Sequence, residues 1–278
     1  MASATLVRYA SSGVTLLGDM RRPCGVTLAF TERTGGVSSG AYESLNLGDA
    51  CGDDLSLVEE NRLRALRAIG ADGAAARLVN PVQVHGGKAV VIAEGHLSAD
   101  EGARVAREGA DIVVCTEPGV PVLLCAADCV LVILVARGVT GKAGFAVFHS
   151  GWRGTLERVC EHALKVLCEV CGCGAEDVLA YVGPHIGAAD FEVSAELAHR
   201  FARSFGAEVT PDVRHVDLGR SIEVTLAECG VDASRIAGVS DSVFSCPERF
   251  FSYRASGGVC GRHGALAIID GDCTGGGR

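Results

Sequence analysis

The sequence predicts an α+β protein with a mixed-sheet architecture. Its strand-like apolar runs outnumber its helical patterns, and the two kinds of segment do not alternate regularly along the chain. Regular alternation is typical of a doubly wound parallel sheet, so its absence favours a mixed sheet. A chain of 278 residues with 48% hydrophobic composition can also bury a full-sized core.

The individual elements follow from the spacing of the apolar residues. Short apolar runs predict strands over residues 25–30, 89–92, 111–115, 122–126, 130–136, 144–148, 178–182 and 265–269. Apolar residues at helical spacing predict helices over residues 55–69, 152–170, 194–205 and 217–229. The pattern over 152–170 is the clearest, and Gly172 offers a C-terminal stop for that helix.

The chain is predicted to form one catalytic domain over residues 1–278. It contains no charge run and no Ser/Pro-rich linker that would separate two units. Four of the eight residues at 271–278 are glycine, so this tail is expected to be flexible.

Composition also limits the compartment and the partners. The N-terminus lacks the pattern of a signal peptide, and the longest apolar run, 120–136, is interrupted by Asp128. The 13 cysteines are irregularly spaced, which favours reduced thiols, and the net charge of -9 disfavours binding of nucleic acid. We therefore expect a soluble cytoplasmic protein that acts on a small molecule, without nucleic-acid or membrane partners. A homodimer is compatible with the sequence.

Three motifs place a metal-binding side chain at a strand end or a turn. His85 occurs in PVQVHGG, Cys129 in CAADCV and His149 in FAVFHSGWRG. Two imidazoles and one thiolate match a catalytic zinc with three protein ligands, whose fourth position is left for water or substrate. The three residues are far apart in the chain, so only the fold can bring them together, and each taken alone is more often a core or turn residue.

Residue counts favour zinc over copper. The eight histidines form no H-x-H pair of the kind on which multicopper oxidases depend. A single blue-copper site would usually require an axial methionine, and the only methionines are Met1 and Met20.

Two further features are candidates for substrate binding. Arg153 lies in the first turn of the helix predicted after His149, where a cation opposes the helix dipole; pairing with substrate or simple solvent exposure would each explain it. The amides at that helix N-terminus are a candidate anion site. The Gly-rich segment TERTGGVSSGAYESLNLG is either an anion-binding nest or a plain surface loop, and it matches neither the G-x-G-x-x-G nor the P-loop pattern.

Taken in order, QVHG, ADC and HSGWRG resemble the motifs of the laccase-domain family, also described as multicopper polyphenol oxidases. This family includes the purine nucleoside phosphorylases of the YfiH/YlmD-like type. The resemblance covers residues 25–269 and includes TGGVSSGAYESLNLG, ENR, GADIVV, VGPHIG and FFSYRASGGVCGR. It implies zinc bound by His85, Cys129 and His149, and we place Arg153 in the same catalytic group because of its position in the first turn after His149. It also implies packed mixed β-sheets flanked by helices, in a fold distantly like a bacterial toxin's cysteine deamidase domain.

The resemblance further implies an enzyme that phosphorolyses purine nucleosides and deaminates adenosine, with adenosine, inosine and methylthioadenosine as substrates. The candidate substrate-binding residues are Arg33, Ser38, Asn46, Arg62, His185 and Arg262. His185 stands where similar sequences often carry Cys or Ala, and Cys260 replaces a usual Thr. Neither departure changes a proposed metal ligand.

Other interpretations remain open at this point. Cys129 is also a candidate nucleophile of a metal-independent cysteine hydrolase, with His149 or His85 as its general base. Bacterial relatives make a peptidoglycan precursor an alternative substrate, and a noncatalytic binding protein would explain neither the ligands nor the Gly-rich segment. A classical zinc deaminase is disfavoured because H-x-E and P-C-x-x-C are absent.

Overall fold

The computed structural model describes residues 3–138 and 141–270, so the tail predicted to be flexible, 271–278, lies outside the described residues. The strands are β1 Val7–Ser11, β2 Val14–Gly18, β3 Val26–Thr31, β4 Ala89–Ile92, β5 Ile112–Cys115, β6 Val122–Ala126, β7 Val130–Arg137, β8 Ala143–Ser150, β9 Leu179–Val182, β10 Ile236–Gly238 and β11 His263–Ile269. The α-helices are α1 Leu55–Ala68, α2 Ala99–Arg107, α3 Trp152–Leu156, α4 Val159–Cys171, α5 Ala195–Phe205 and α6 Leu218–Glu228. None of these described helices has both the length and the apolar character needed to span a membrane.

The strands form two sheets. The first has the order β1-β2-β3-β11-β6, and all its neighbours are antiparallel. The second has the order β10-β9-β7-β8-β5-β4, with antiparallel pairs at its centre and parallel pairs, β9 with β10 and β4 with β5, at its two edges. The predicted α+β class with a mixed sheet is therefore confirmed.

The two sheets pack face to face because apolar side chains alternate along the strands of the first sheet. Leu28 and Phe30 of β3 belong to the core shared with the second sheet, whereas Ala29 between them packs with residues of α1. This period of two places successive side chains on opposite faces of a strand. The second sheet is covered on its other face by α4, which contacts β5, β7 and β8. Each fully buried Leu or Phe contributes about 1.5–3 kcal/mol to this core.

The single helix predicted over residues 152–170 is instead two helices, α3 and α4. The chain breaks at Arg158, whose φ of 59° lies in the left-handed region. Its guanidinium group bonds to Glu161 and Glu228 and lies 5.5 Å from the ring centre of Phe205. These tertiary contacts offset the local backbone cost, which the apolar periodicity of the segment does not reveal. Gly172 ends α4 with φ 68°, as predicted.

Four elements were absent from the predicted set: β1, β2, β10 and α2. Strands β1 and β2 form an edge hairpin, and β1 is largely exposed, so it lacks a strong apolar pattern. Helix α2 is short and polar, but it carries a capping box in which the side chains of Ser98 and Glu101 each accept a hydrogen bond from the other residue's backbone N–H. The S-x-x-E spacing was the available signal for this helix.

Candidate metal centre

The pairing of β7 with β8 brings Cys129 and His149 together. These strands are antiparallel, with Val130 opposite Ser150 and Leu131 opposite His149. Cys129 directly precedes β7, so it lies beside the end of β8 that carries His149. His85 approaches from the segment before β4, with a left-handed φ of 60°. The nearest ligand atoms of His85, Cys129 and His149 all lie within 4.8 Å of one another, as the three motifs predicted.

Asp111 holds two of the three ligands in place. Its Oδ1 atom lies 2.9 Å from Nδ1 of His149 and accepts a hydrogen bond from the backbone N–H of His85 at 3.1 Å. Its Oδ2 atom accepts hydrogen bonds from the backbone N–H groups of Val84 and Gly86 at 3.1 and 2.8 Å. The carboxylate therefore keeps the proton of His149 on Nδ1 and leaves Nε2 to bind a metal, which is the usual arrangement around metal-bound histidine.

Sequence reasoning treated Asp111 only as the first residue of a strand. The available signal was a carboxylate directly before a fully buried apolar run, in the GADIVV motif. Asp111 is itself completely buried, and charged residues are almost never fully buried unless they are paired. The role of Asp128 was also missed, because it depends on contacts with residues far along the chain. Its carboxylate accepts hydrogen bonds from the hydroxyl of Ser252 and the backbone N–H of Arg254, and these bonds hold the 252–254 segment beside the residue before Cys129.

The charges of the centre favour an ionised thiol. Burial opposes ionisation of Cys129, but His149 and His85 outweigh burial and lower the pKa of the thiol to about 6. Burial likewise opposes protonation of His149, but Cys129 and Asp111 raise the pKa of its imidazole to about 9. Without metal the site thus favours a thiolate beside an imidazolium ion. A metal held here would bind the same thiolate and would take the place of the proton on Nε2.

The donor set fits zinc. Two imidazole nitrogens and one thiolate sulfur are borderline-to-soft ligands, and three protein ligands are characteristic of catalytic rather than structural zinc sites. Met20, the one methionine among the described residues, lies in the β2–β3 connection and is 62% exposed. It lines a cavity whose described lining includes none of the three candidate ligands, which does not favour a blue-copper site with an axial methionine.

Comparison with known proteins places the chain in a family. The family described as multi-copper polyphenol oxidoreductase laccase matches residues 27–270. The chain belongs to this laccase family. It is 34% identical over 248 residues to a purine nucleoside phosphorylase of Pseudomonas aeruginosa, covering 87% of this chain and 93% of that protein. It is 32% identical over 238 residues to the purine nucleoside phosphorylase YfiH of Escherichia coli, covering 84% and 90%.

A solved structure of the same type has the same fold. YlmD from Geobacillus stearothermophilus superposes with a TM-score of 0.80 at 25% identity, over 93% of this chain and 97% of that chain. The predicted family is therefore confirmed. The name of the laccase family refers to copper, whereas the described residues contain one candidate site with three ligands, so the name alone does not identify the metal.

The candidate residues of the Gly-rich segment form a hydrogen-bond network within the laccase-family fold. Ser38 donates to Asp53 at 2.6 Å and accepts from Asn61 at 2.9 Å. The side-chain amide of Asn46 donates to Asp53 at 2.9 Å, and its oxygen accepts from the backbone of Arg262 at 2.8 Å. These bonds within the protein already use most of the donors and acceptors of the two side chains. The role of Ser38 and Asn46 in substrate binding therefore stays a prediction.

The candidate arginines differ in how they are held. Arg62 donates to the carbonyl of Leu47 and the side chain of Asn80, and its side chain is only 16% exposed. Arg33 lies 4.4 Å from the ring centre of Phe251 and donates to backbone carbonyls, and Arg262 similarly lies 5.6 Å from the ring centre of Tyr253. Arg33 thus contacts the 250–262 segment and Arg262 ends it, and Asp128 connects this segment to the metal centre through Ser252 and Arg254.

Arg153 and His185 complete the predicted residues. Arg153 is exposed in the first turn of α3 with its guanidinium 5.0 Å from the ring centre of Trp152, and it has no carboxylate partner among the described residues. Because α3 has only five residues, the helix-terminus anion site expected from a long helix is not supported. His185 is outside the ligand group; burial lowers its pKa, and its Nδ1 lies 2.8 Å from the carbonyl of Gly183.

Gly151 leaves the space in which two of the ligands meet. A Cβ atom at this position would lie 3.1 Å from the sulfur of Cys129 and 3.2 Å from Cδ2 of His85. Overpacking of this kind typically costs about 1–3 kcal/mol, so Gly151→Ala is expected to weaken metal binding about tenfold or more. Competition with a fluorescent zinc chelator measures this change.

Gly154→Ala is the matched control, because a Cβ atom at Gly154 makes only an ordinary 3.4 Å contact with Val159. If both variants bind zinc as tightly as the unmodified protein, the packing of Gly151 against the ligands is not important for the site.

Proposed function

We propose that this chain is a zinc-dependent purine nucleoside phosphorylase that also deaminates adenosine. The observation that carries the proposal is the convergence of His85, Cys129 and His149 on one point, in a chain whose relatives are named purine nucleoside phosphorylases. Bound zinc would supply Lewis-acid stabilisation of negative charge and a position for an oxygen ligand. The proposed substrates are adenosine, inosine and methylthioadenosine, with inorganic phosphate.

Phosphorolysis requires the protein to hold an anion next to a sugar. A phosphate oxygen forms a bond to the anomeric carbon, the glycosidic C–N bond breaks, and the purine leaves with a proton. Arg153 is suited to bind the phosphate, because its exposed guanidinium has no described carboxylate partner and lies four residues after His149. Its placement beside Trp152 limits its freedom and so lowers the entropic cost of binding.

The remaining residues of the centre position the ligands and exclude water. Asp111 fixes the ring of His149 and the backbone of His85, and the buried Ser150 and Thr155 hydroxyls bond to each other at 2.8 Å directly after His149. Arg33, Arg262 and the 250–262 segment are proposed to contact the ribose and the purine. His185 is proposed to act from the neighbouring loop, which Ile186 connects to the carbonyl of Asp128 at 3.0 Å.

The test is a panel of nucleosides. Adenosine, inosine and methylthioadenosine are incubated with zinc-loaded protein with and without phosphate, and the products are separated by chromatography. We expect free base and ribose 1-phosphate, or its methylthio analogue, only when phosphate is present, and inosine from adenosine in both conditions. If all three nucleosides stay intact with folded, zinc-loaded protein, the proposal fails and an amide or cell-wall precursor becomes the leading substrate.

A cysteine hydrolase is the second candidate, and one observation favours it. In the metal-free centre the pKa of Cys129 is lowered to about 6 beside a histidine whose pKa is raised, which is the pairing of an activated thiol nucleophile with a base. Such an enzyme would retain its activity when metal is removed, whereas the proposed zinc enzyme would lose it.

A further inference from the structure

A cavity lies at the end of the β7–β8 pair opposite the metal centre. It has a volume of about 1010 Å³ and is bordered by the β2–β3 connection, the end of β7, the start of β8 and the end of β11. Cys129 precedes β7 and Arg137 ends it, so the eight residues of this strand separate the two sites by about 25 Å. Cavities of this size commonly hold small molecules.

Three cations from different elements line this cavity: Arg22, Arg137 and Lys142. Arg137 and Lys142 lie at the paired ends of β7 and β8, where Arg137 is opposite Ala143. Asp270 is the carboxylate in the described lining, and it is already bound by Arg22 at 3.4 Å and by the hydroxyl of Thr27 at 2.9 Å. A cationic cavity of this kind is unexpected in a chain with a net charge of -9.

Arg137 and Lys142 are weakly compensated. Lys142 lies 3.9 Å from Glu94, whose side chain is 93% exposed, so water screens that pair. Arg137 forms no ion pair with a carboxylate among residues 3–138 and 141–270. The thiol of Cys24 lies near Arg137, but burial raises its pKa, so the thiol stays neutral and does not balance the charge.

The loop at the cavity mouth has a costly backbone conformation. Arg22 and Cys24 have φ values of 50° and 58°, in the left-handed region that residues other than glycine rarely adopt. Such conformations concentrate at binding sites, where the surrounding structure holds them. In this loop they place Arg22 and Cys24 on the wall of the cavity.

We propose that this cavity binds a phosphorylated small molecule whose phosphate is bound by the cations of the lining, Arg137 and Lys142 above all. Arg137 has no described carboxylate partner and Lys142 has only a solvent-screened one, so both are available to a phosphate ester. The site is separate from the metal centre and does not depend on the proposed function.

Isothermal titration of the zinc-loaded protein with ADP, AMP and inorganic phosphate tests this site. The same titrations on Cys129→Ser protein distinguish binding at the cavity from binding at the metal centre. We expect ADP to bind both proteins at the cavity, and the double variant Arg137→Ala/Lys142→Ala to bind ADP at least about tenfold more weakly there, because two charge-assisted bonds are lost. Comparison of the three probes shows whether the nucleoside part contributes to binding.

The matched control is Arg104→Ala/Lys165→Ala, which removes the same charge from exposed helix pairs outside the cavity. This control should bind ADP normally, and the cavity variant should keep its zinc content and its melting temperature. The proposal is overturned if none of the probes binds, if the cavity variant binds ADP as tightly as the unmodified protein, or if the control variant loses affinity equally.

Discussion

Cys129→Ser is expected to weaken zinc binding more than about 100-fold and to reduce phosphate-dependent turnover to background. Loss of an outer-shell partner already costs about 10–100-fold in metal affinity, and loss of a ligand should cost more. The serine hydroxyl does not ionise near neutral pH, whereas the pKa of the Cys129 thiol is lowered to about 6 by the two histidines against the effect of burial. Elemental analysis after dialysis and a nucleoside assay measure the two effects on one sample.

Cys246→Ser is a suitable control, because Cys246 is a half-buried thiol outside the ligand group. It should keep both zinc and activity. A Cys129→Ser protein that retains full zinc but has no activity would contradict the assignment of Cys129 as a ligand and would favour its role as a nucleophile.

Asp111→Asn is expected to weaken zinc binding by about 10–100-fold and to lower the free energy of unfolding by about 3 kcal/mol. Oδ1 of Asp111 faces His149 and the N–H of His85, and Oδ2 faces the N–H groups of Val84 and Gly86. An asparagine amide must turn its NH₂ group toward one of these sets of donors in either orientation. The variant therefore leaves buried donors without acceptors.

The effect of Asp111→Asn on the free energy of unfolding is expected to depend on pH. Burial opposes ionisation of Asp111, but the hydrogen bonds from His149 and the backbone outweigh burial and lower the pKa of the carboxyl group. A lowered pKa gives stability that is fully present above the unfolded value of about 3.9 and is lost as the pH falls through the lower folded value. The difference between the unmodified protein and Asp111→Asn should thus shrink below about pH 4. Because Asp111 also raises the pKa of His149 in metal-free protein, the difference should also shrink as the pH rises from about 6.5 towards 9.

Urea denaturation of metal-free protein at several pH values measures the difference. Asp100→Asn, an exposed carboxylate in the first turn of α2, provides a control whose effect should stay within a few tenths of a kcal/mol. If Asp111→Asn binds zinc and unfolds like this control, Asp111 does not position the ligands.

The candidate ligands could be predicted from the sequence, but the residues that support them could not. His85, Cys129 and His149 carry chemistry in their residue type, and the family resemblance of their three motifs selected them from residues that are more often part of a core or a turn. Asp111 precedes a buried strand like many aspartates, and its role depends on the β5–β8 pairing that sets it beside His149. That pairing is set by the whole sheet, and no local sequence pattern around Asp111 predicts it.

The candidate substrate-binding residues show the same limit of prediction from sequence. Ser38, Asn46 and Arg62 are polar residues in a Gly-rich or helical context, which is compatible with contacts to a ligand or to the protein itself. The structure shows that their side chains bond to Asp53, Asn61, Asn80 and the backbone of Leu47 and Arg262. Similarly, the helix predicted over 152–170 is interrupted at Arg158 by contacts with residues more than forty positions away, Phe205 and Glu228.

Removal and restoration of the metal tests the central claim most directly. Purified protein is treated with a chelator, dialysed, and assayed for phosphate-dependent release of hypoxanthine from inosine as zinc or copper is added back. The account predicts that activity is lost on chelation and returns in full at about one equivalent of zinc per chain, with little recovery from copper. Metal-free protein that is folded and still turns over inosine at the original rate would contradict it.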